Sequence, residues 1–112
     1  MGEVYPDDDD GNALRLVASG GADMSRPMTI EFTIAVPSIE GARSLAERIA
    51  AAGYSPSLYV DDEDASISLY CARSMLATYE AVVAAQSELN VLCESVGANC
   101  DGWITAGNRQ HS

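Results

Sequence analysis

An α+β two-layer sandwich of the ferredoxin-like kind, with the element order βαββαβ, is predicted for this chain by three features. Apolar and polar residues alternate strictly over 28–36. A two-strand pattern broken by an acidic turn spans 54–72. A long amphipathic stripe starts at Ser74 and stops at Gly97, ahead of a short final strand that carries the only tryptophan, Trp103. Right-handed crossovers then put two helices on one face of a four-stranded antiparallel sheet. A short extra helix precedes the first strand.

The chain of 112 residues suits one hydrophobic core. It divides into an acidic segment with a short helix and a connecting loop (1–27), the α+β domain (28–105) and a tail expected to be disordered (106–112). In the first part Asp10 is the expected cap of a helix through Ala18, with Ala13, Leu14 and Val17 on one face and Gly20-Gly21 as its end. The first strand buries Ile30, Phe32, Ile34 and Val36. Pro37 ends it, because proline cannot donate to a ladder. Ser38 caps the next helix, in which Ala42, Leu45, Ala46, Ile49 and Ala52 share a stripe and Gly53 is the stop.

The second strand, 54–60, contains Pro56 and therefore belongs at a sheet edge. Asp61-Asp62-Glu63-Asp64 makes the turn. The third strand, 65–72, points Ile67, Leu69 and Cys71 one way and Ser66, Ser68 and Tyr70 the other. The long helix recurs through Tyr79, Val82, Val83, Gln86, Leu89, Cys93 and Val96, widened by Leu76 and Leu92. The fourth strand is 101–105, with Asp101-Gly102 as a tight turn into Trp103. The uncovered sheet face carries Thr29, Glu31, Thr33, Ser66, Ser68 and Tyr70. That face is polar, and a partner can dock on it.

The formal charge is −11, from 17 acidic and six basic residues, all six of them arginine. A phosphate backbone recruits clusters of Lys and Arg, and none exists here, which argues against direct nucleic-acid binding. An acidic surface suits a basic protein partner; excess acid also simply keeps a small protein soluble. No apolar run approaches the roughly 20 residues of a membrane helix. No basic start followed by an apolar stretch marks a secretory signal, so a cytoplasmic protein is expected, as a monomer or weak homo-oligomer. The odd cysteine count, Cys71, Cys93 and Cys100, fits reduced thiols. Cys71 and Cys93 read as core residues, and a redox role for Cys93 with Cys100 stays open.

Catalytic chemistry finds no footing. The one histidine, His111, is next to last, so Ser-His-Asp, Cys-His and histidine-zinc arrangements are excluded, and no CxxC pair exists. Asp7, Asp8, Asp9 and Asp10 before Gly11 imitate a calcium loop, but aligning the glycine puts Pro6 at the first ligand position and Val17 where a bidentate Glu belongs. No glycine-rich phosphate loop is present. An RNA-recognition module shares this element order but stacks bases on exposed sheet aromatics, whereas Phe32 faces the core and Glu31 opposes RNA. No catalytic, cofactor or metal residue is therefore assigned. The partner-binding candidates are the two acidic stretches, Asp7 to Asp10 and Asp61, Asp62, Glu63 and Asp64. Trp103 reads as a core-capping residue, or as an interface anchor where its ring is exposed. A protein-binding regulator is the leading functional reading and a small-effector-binding α+β domain the runner-up; a hydrolytic or isomerising enzyme comes last, for want of a histidine in the folded part.

Three stretches carry a resemblance: Asp9-Asp10-Gly11-Asn12-Ala13-Leu14-Arg15 with Gly21-Ala22-Asp23-Met24-Ser25-Arg26-Pro27; the strand and helix over 30–53; and 75–103, with Thr78-Tyr79-Glu80, Glu88-Leu89 and Asp101-Gly102-Trp103. In their order and spacing the chain resembles the RraB family, the regulators of ribonuclease activity B, over about 8–108. The resemblance implies the same ferredoxin-like sandwich and a non-catalytic role: binding ribonuclease E and restraining its cleavage of some transcripts. The family's usual glycine pair before Asp-Gly-Trp and glycine after it are replaced by Gly97-Ala98-Asn99-Cys100 and Ile104, so the turn and fourth strand are expected to differ in detail.

Overall fold

The computed structural model describes residues 8–108. Its elements are α1 (Asp9–Ser19), β1 (Met28–Val36), α2 (Ile39–Ala51), β2 (Ser55–Val60), β3 (Ile67–Met75), α3 (Tyr79–Cys93), a 3-10 turn (Glu94–Val96) and β4 (Asn99–Thr105). The architecture is α+β: an open four-stranded sheet, every pairing antiparallel, in the order β2-β3-β1-β4, with three helices.

Alternation in β1 places Ile30, Phe32 and Ile34 fully out of water, facing Leu45 and Ile49 of α2, Val82, Leu89 and Cys93 of α3 and Leu69 and Cys71 of β3 in one cluster. Each large aliphatic side chain buried this way contributes about 1.5–3 kcal/mol. Leu14 of α1 belongs to the same cluster, so α1 is joined to the sandwich through a shared core. The predicted start of the second helix and the predicted stop after the long one both hold. Ser38 Oγ accepts from Gly41 N–H at 3.0 Å, and Gly97 closes the 3-10 turn in the left-handed region at φ 68°.

Besides shifts of one and two residues at the starts of β2 and β3, four boundaries differ from expectation. The first is at α1, which is capped by Asp8, two residues before the expected Asp10. Asp8 Oδ1 accepts from Gly11 N–H at 2.8 Å, and Asp10 is thereby placed inside the helix.

The second is at β3. It runs on to Met75, and α3 starts only after Thr78, whose Oγ1 accepts from Ala81 N–H at 3.1 Å. Pairing explains this shift. β1 extends back to Met28, and Met28 and Thr29 find their partners in Met75 and Ser74. Ladder partners thus hold as strand the residues that the helical period had claimed, and Leu76 is left outside the helix and exposed.

The third is at β4, which begins at Asn99. Asp101-Gly102 is a bulge inside the strand instead of a turn before it. Ile34 pairs with Cys100 and Phe32 with Trp103, so three steps on β4 oppose two on β1. Gly102 takes φ 116°, a conformation that other residues rarely adopt. The extra residue lets Cys100 and Trp103, three apart, both reach the core side.

The fourth concerns the tail. Residues 106–108 were expected to begin disorder, yet Asn108 is tied to the loop before β1. Its Oδ1 accepts from Asp23 N–H (2.8 Å), and its Nδ2 donates to the carbonyls of Asp23, Arg26 and Pro27. The rest of the expected tail lies outside the described residues.

Candidate functional site

The first acidic stretch is built into the helix layer. Asp8 caps α1 and its Oδ2 accepts from Tyr79 OH at 2.7 Å. That bond, then the Gly11 amide, holds the Asp8 carboxyl below the usual carboxylate range; the same bond raises the Tyr79 hydroxyl. Asp10 Oδ1 accepts from both Trp103 Nε1 (2.9 Å) and Gln86 Nε2 (3.0 Å), joining α1, α3 and β4. The half-buried Trp103 ring packs on the core with its one polar atom satisfied. Asp9 is exposed, and Asp7 lies outside the described residues, as does His111. Of this stretch the structure therefore leaves Asp9 exposed and gives Asp8 and Asp10 intramolecular work.

Sequence reasoning did not find this network. Its signal was Gln86, a polar residue within an apolar stripe, which calls for a hydrogen-bond partner.

The second stretch is a turn that organises itself. Asp61 Oδ1 accepts from Glu63 N–H (2.8 Å) and Asp64 N–H (3.4 Å). Asp64 Oδ1 accepts from Ser66 N–H (2.9 Å), and Ser66, through its amide first and then its hydroxyl, lowers the Asp64 carboxyl. Ala65 sits at φ 59°. The side chains of Asp62 and Glu63 point to solvent with no bond among the described residues. The two acidic stretches belong to different elements, α1 on the helix layer and the β2–β3 turn, so they act as two patches.

The open sheet face carries, on alternate positions, Ser57 and Tyr59 of β2, Ser68 and Tyr70 of β3, Thr29, Glu31 and Thr33 of β1, and Ile104 of β4. Tyr59 and Tyr70 meet edge to face at 6.4 Å between ring centres, and Ile104 is 60% exposed. The expected polar face thus also presents an aromatic pair and an isoleucine.

A polar group that the sequence did not announce closes one end of the helix layer. Tyr54 OH donates to Glu88 Oε1 (2.8 Å) and accepts from Arg73 (3.2 Å), whose guanidinium lies 5.0 Å over the Tyr54 ring. Burial, then the Glu88 bond, raises the Tyr54 hydroxyl. Arg73 and Glu88 also line a shallow cleft of about 360 Å³ with Met75 and Ala81.

All three thiols are free. Burial pushes Cys71 up to about 12 and Cys93 to about 11, and it raises Cys100. Such thiols are protonated at neutral pH and make poor nucleophiles.

The sequence is matched over residues 7–105 by the family model described as regulator of ribonuclease activity B. The chain belongs to the RraB family. No curated protein matches it. Membership places the chain among regulators of ribonuclease activity, a non-catalytic family whose partner is a protein of RNA degradation. The family match spans every element from α1 to β4, and so includes both acidic patches and the Asp10–Trp103 bond. No helix among the described residues is long and apolar enough to cross a membrane.

Proposed function

We propose that this RraB-family chain is a non-catalytic, cytoplasmic bacterial protein that binds ribonuclease E and restrains its cleavage of some transcripts. It docks on the enzyme's basic segments through its acidic patches and does not itself bind nucleic acid. The observation that carries this reading is the family match over 7–105. The formal charge of −11 supports the choice of a basic partner, and within the two acidic stretches Asp9, Asp62 and Glu63 are the exposed carboxylates not engaged by a neighbouring element. Three protonated thiols and a histidine only at position 111 support a regulator without its own active site. The sandwich is read as ferredoxin-like with one added helix. The strand order β2-β3-β1-β4 and the alternation of strands and helices after α1 support that reading.

Calorimetry with ribonuclease E of the same organism at two salt concentrations tests the function. Micromolar or tighter binding that weakens with salt is expected, followed by slower transcript cleavage in the presence of the protein. Absence of binding at both salts overturns the reading.

A further inference from the structure

The two edges of the sheet are treated differently. At the β4 edge the bulge breaks the ladder, and the Cys100 amide is already taken by Asn90 Oδ1 of α3 at 2.9 Å. Such devices stop an edge from pairing with another chain. The β2 edge has no comparable cover among the described residues.

Its hydrogen-bonding phase follows from one bond. Asp61 N–H donates to Ser66 O at 2.9 Å, and pairs alternate along an antiparallel ladder, so Tyr59, Ser57 and Ser55 turn their amides and carbonyls toward β3. Pro56, Leu58 and Val60 then turn theirs outward. Pro56 fits this phase, because its missing donor falls where no ladder bond is lost. Leu58 and Val60 each offer an amide and a carbonyl to an incoming strand. Their side chains are both 42% exposed, and Tyr59 between them is 53% exposed. No charge lies within Ser55–Val60, so Pro56 alone guards this edge.

From this we propose that the outer edge of β2 is a docking strand, on which an extended basic segment of a partner protein adds itself as a fifth strand. The inference rests on the protein-binding reading above and names the surface and the form of the partner. Main-chain bonds to Leu58 and Val60 supply affinity, and alternate apolar side chains of the segment cover Leu58 and Val60, which share the core side of the sheet with Leu69 and Ile67. The choice of a basic segment comes from charge. Exposed Asp62, Glu63 and Asp64 stand in the turn that follows β2, at one end of this edge. A second copy of this chain would instead bring two charges of −11 together.

The test uses the full chain and a fluorescent octapeptide of alternating arginine and valine, followed by anisotropy and by amide hydrogen exchange. The peptide is expected to bind, to weaken as salt rises from about 0.05 to 0.5 M, and to bind about tenfold or more tightly than its glutamate–valine counterpart. Exchange should slow at Leu58 and Val60 and stay unchanged at Ser57 and Tyr59. Leu58→Pro removes one outward donor without touching the β2–β3 ladder and should weaken binding about tenfold. Val60→Pro serves the same purpose should Leu58→Pro not fold.

The proposal is overturned by absence of peptide binding, by equal binding of the two peptides, or by binding that leaves exchange at Leu58 and Val60 unchanged. It is also overturned if these amides are protected in a dimer of the peptide-free protein, which would assign the edge to a second copy. Peptide binding without ribonuclease E binding would sink only the functional reading. Ribonuclease E binding that Leu58→Pro leaves intact would sink only the edge.

Discussion

Asp10 joins three elements with one carboxylate oxygen, which accepts from Trp103 and Gln86. Asp10→Ala strands a half-buried indole N–H and an amide, and is expected to cost about 1–3 kcal/mol in urea unfolding followed by Trp103 fluorescence. Asp8 supports the same helix from its cap. Its carboxyl is lowered in the folded protein, so its contribution is complete above the ordinary carboxyl pKa and fades as pH falls through the folded value, below about 4. The Tyr79 hydroxyl is raised, so its part is complete below about pH 10 and fades above it. The protection of the Gly11 amide against exchange, taken relative to its intrinsic rate at each pH, should therefore fall below about pH 4 in the native chain, and Asp8→Asn, which keeps a cap, should remove most of that pH dependence.

At the scale of elements, α1 and β4 are held by single well-chosen residues. Leu14 is the fully buried anchor of α1. Leu14→Ala is expected to lower stability by about 2–5 kcal/mol, read as a loss in chemical-denaturation midpoint. A loss near zero would mean that α1 is an appendage to the sandwich. Gly102 is required by its backbone alone: a Cβ there meets nothing within 4 Å, while φ is 116°. Gly102→Ala is expected to cost about 1 kcal/mol or more through strain and to shift the Trp103 indole resonance as the bulge relaxes.

For the whole molecule, the proposed docking rests on charge. Among the described residues the side chains of Asp62 and Glu63 make no bond, whereas those of Asp61 and Asp64 hold the turn together. Reversing Asp62 and Glu63 to lysine should weaken ribonuclease E binding several-fold at low salt, less at high salt, with the melting temperature nearly unchanged. Reversing Asp61 should lower the melting temperature as well, because two amides lose their acceptor. Unchanged affinity in both variants would move the contact to the open sheet face around Tyr59, Tyr70 and Ile104.

Periodicity, caps and stops were enough to predict the strands, both long helices and the α+β class, because alternation in β1 and the Ser38 and Gly97 signals act over a few neighbouring residues. The spacing of motifs was enough to point to the RraB family. Where β3 yields to α3, and that Asp101-Gly102 is a bulge, depended on ladder partners in β1 more than 40 positions away. The roles of the acidic residues split along the same line. Asp8 and Asp10 read as a solvated run until α1 is set against α3 and β4, where Tyr79, Gln86 and Trp103 claim them. The arginine–tyrosine–glutamate group and the bare β2 edge likewise exist only after folding. Local sequence fixes what a segment prefers to be, while register and the packing of distant elements decide which donors, acceptors and charges remain for a partner.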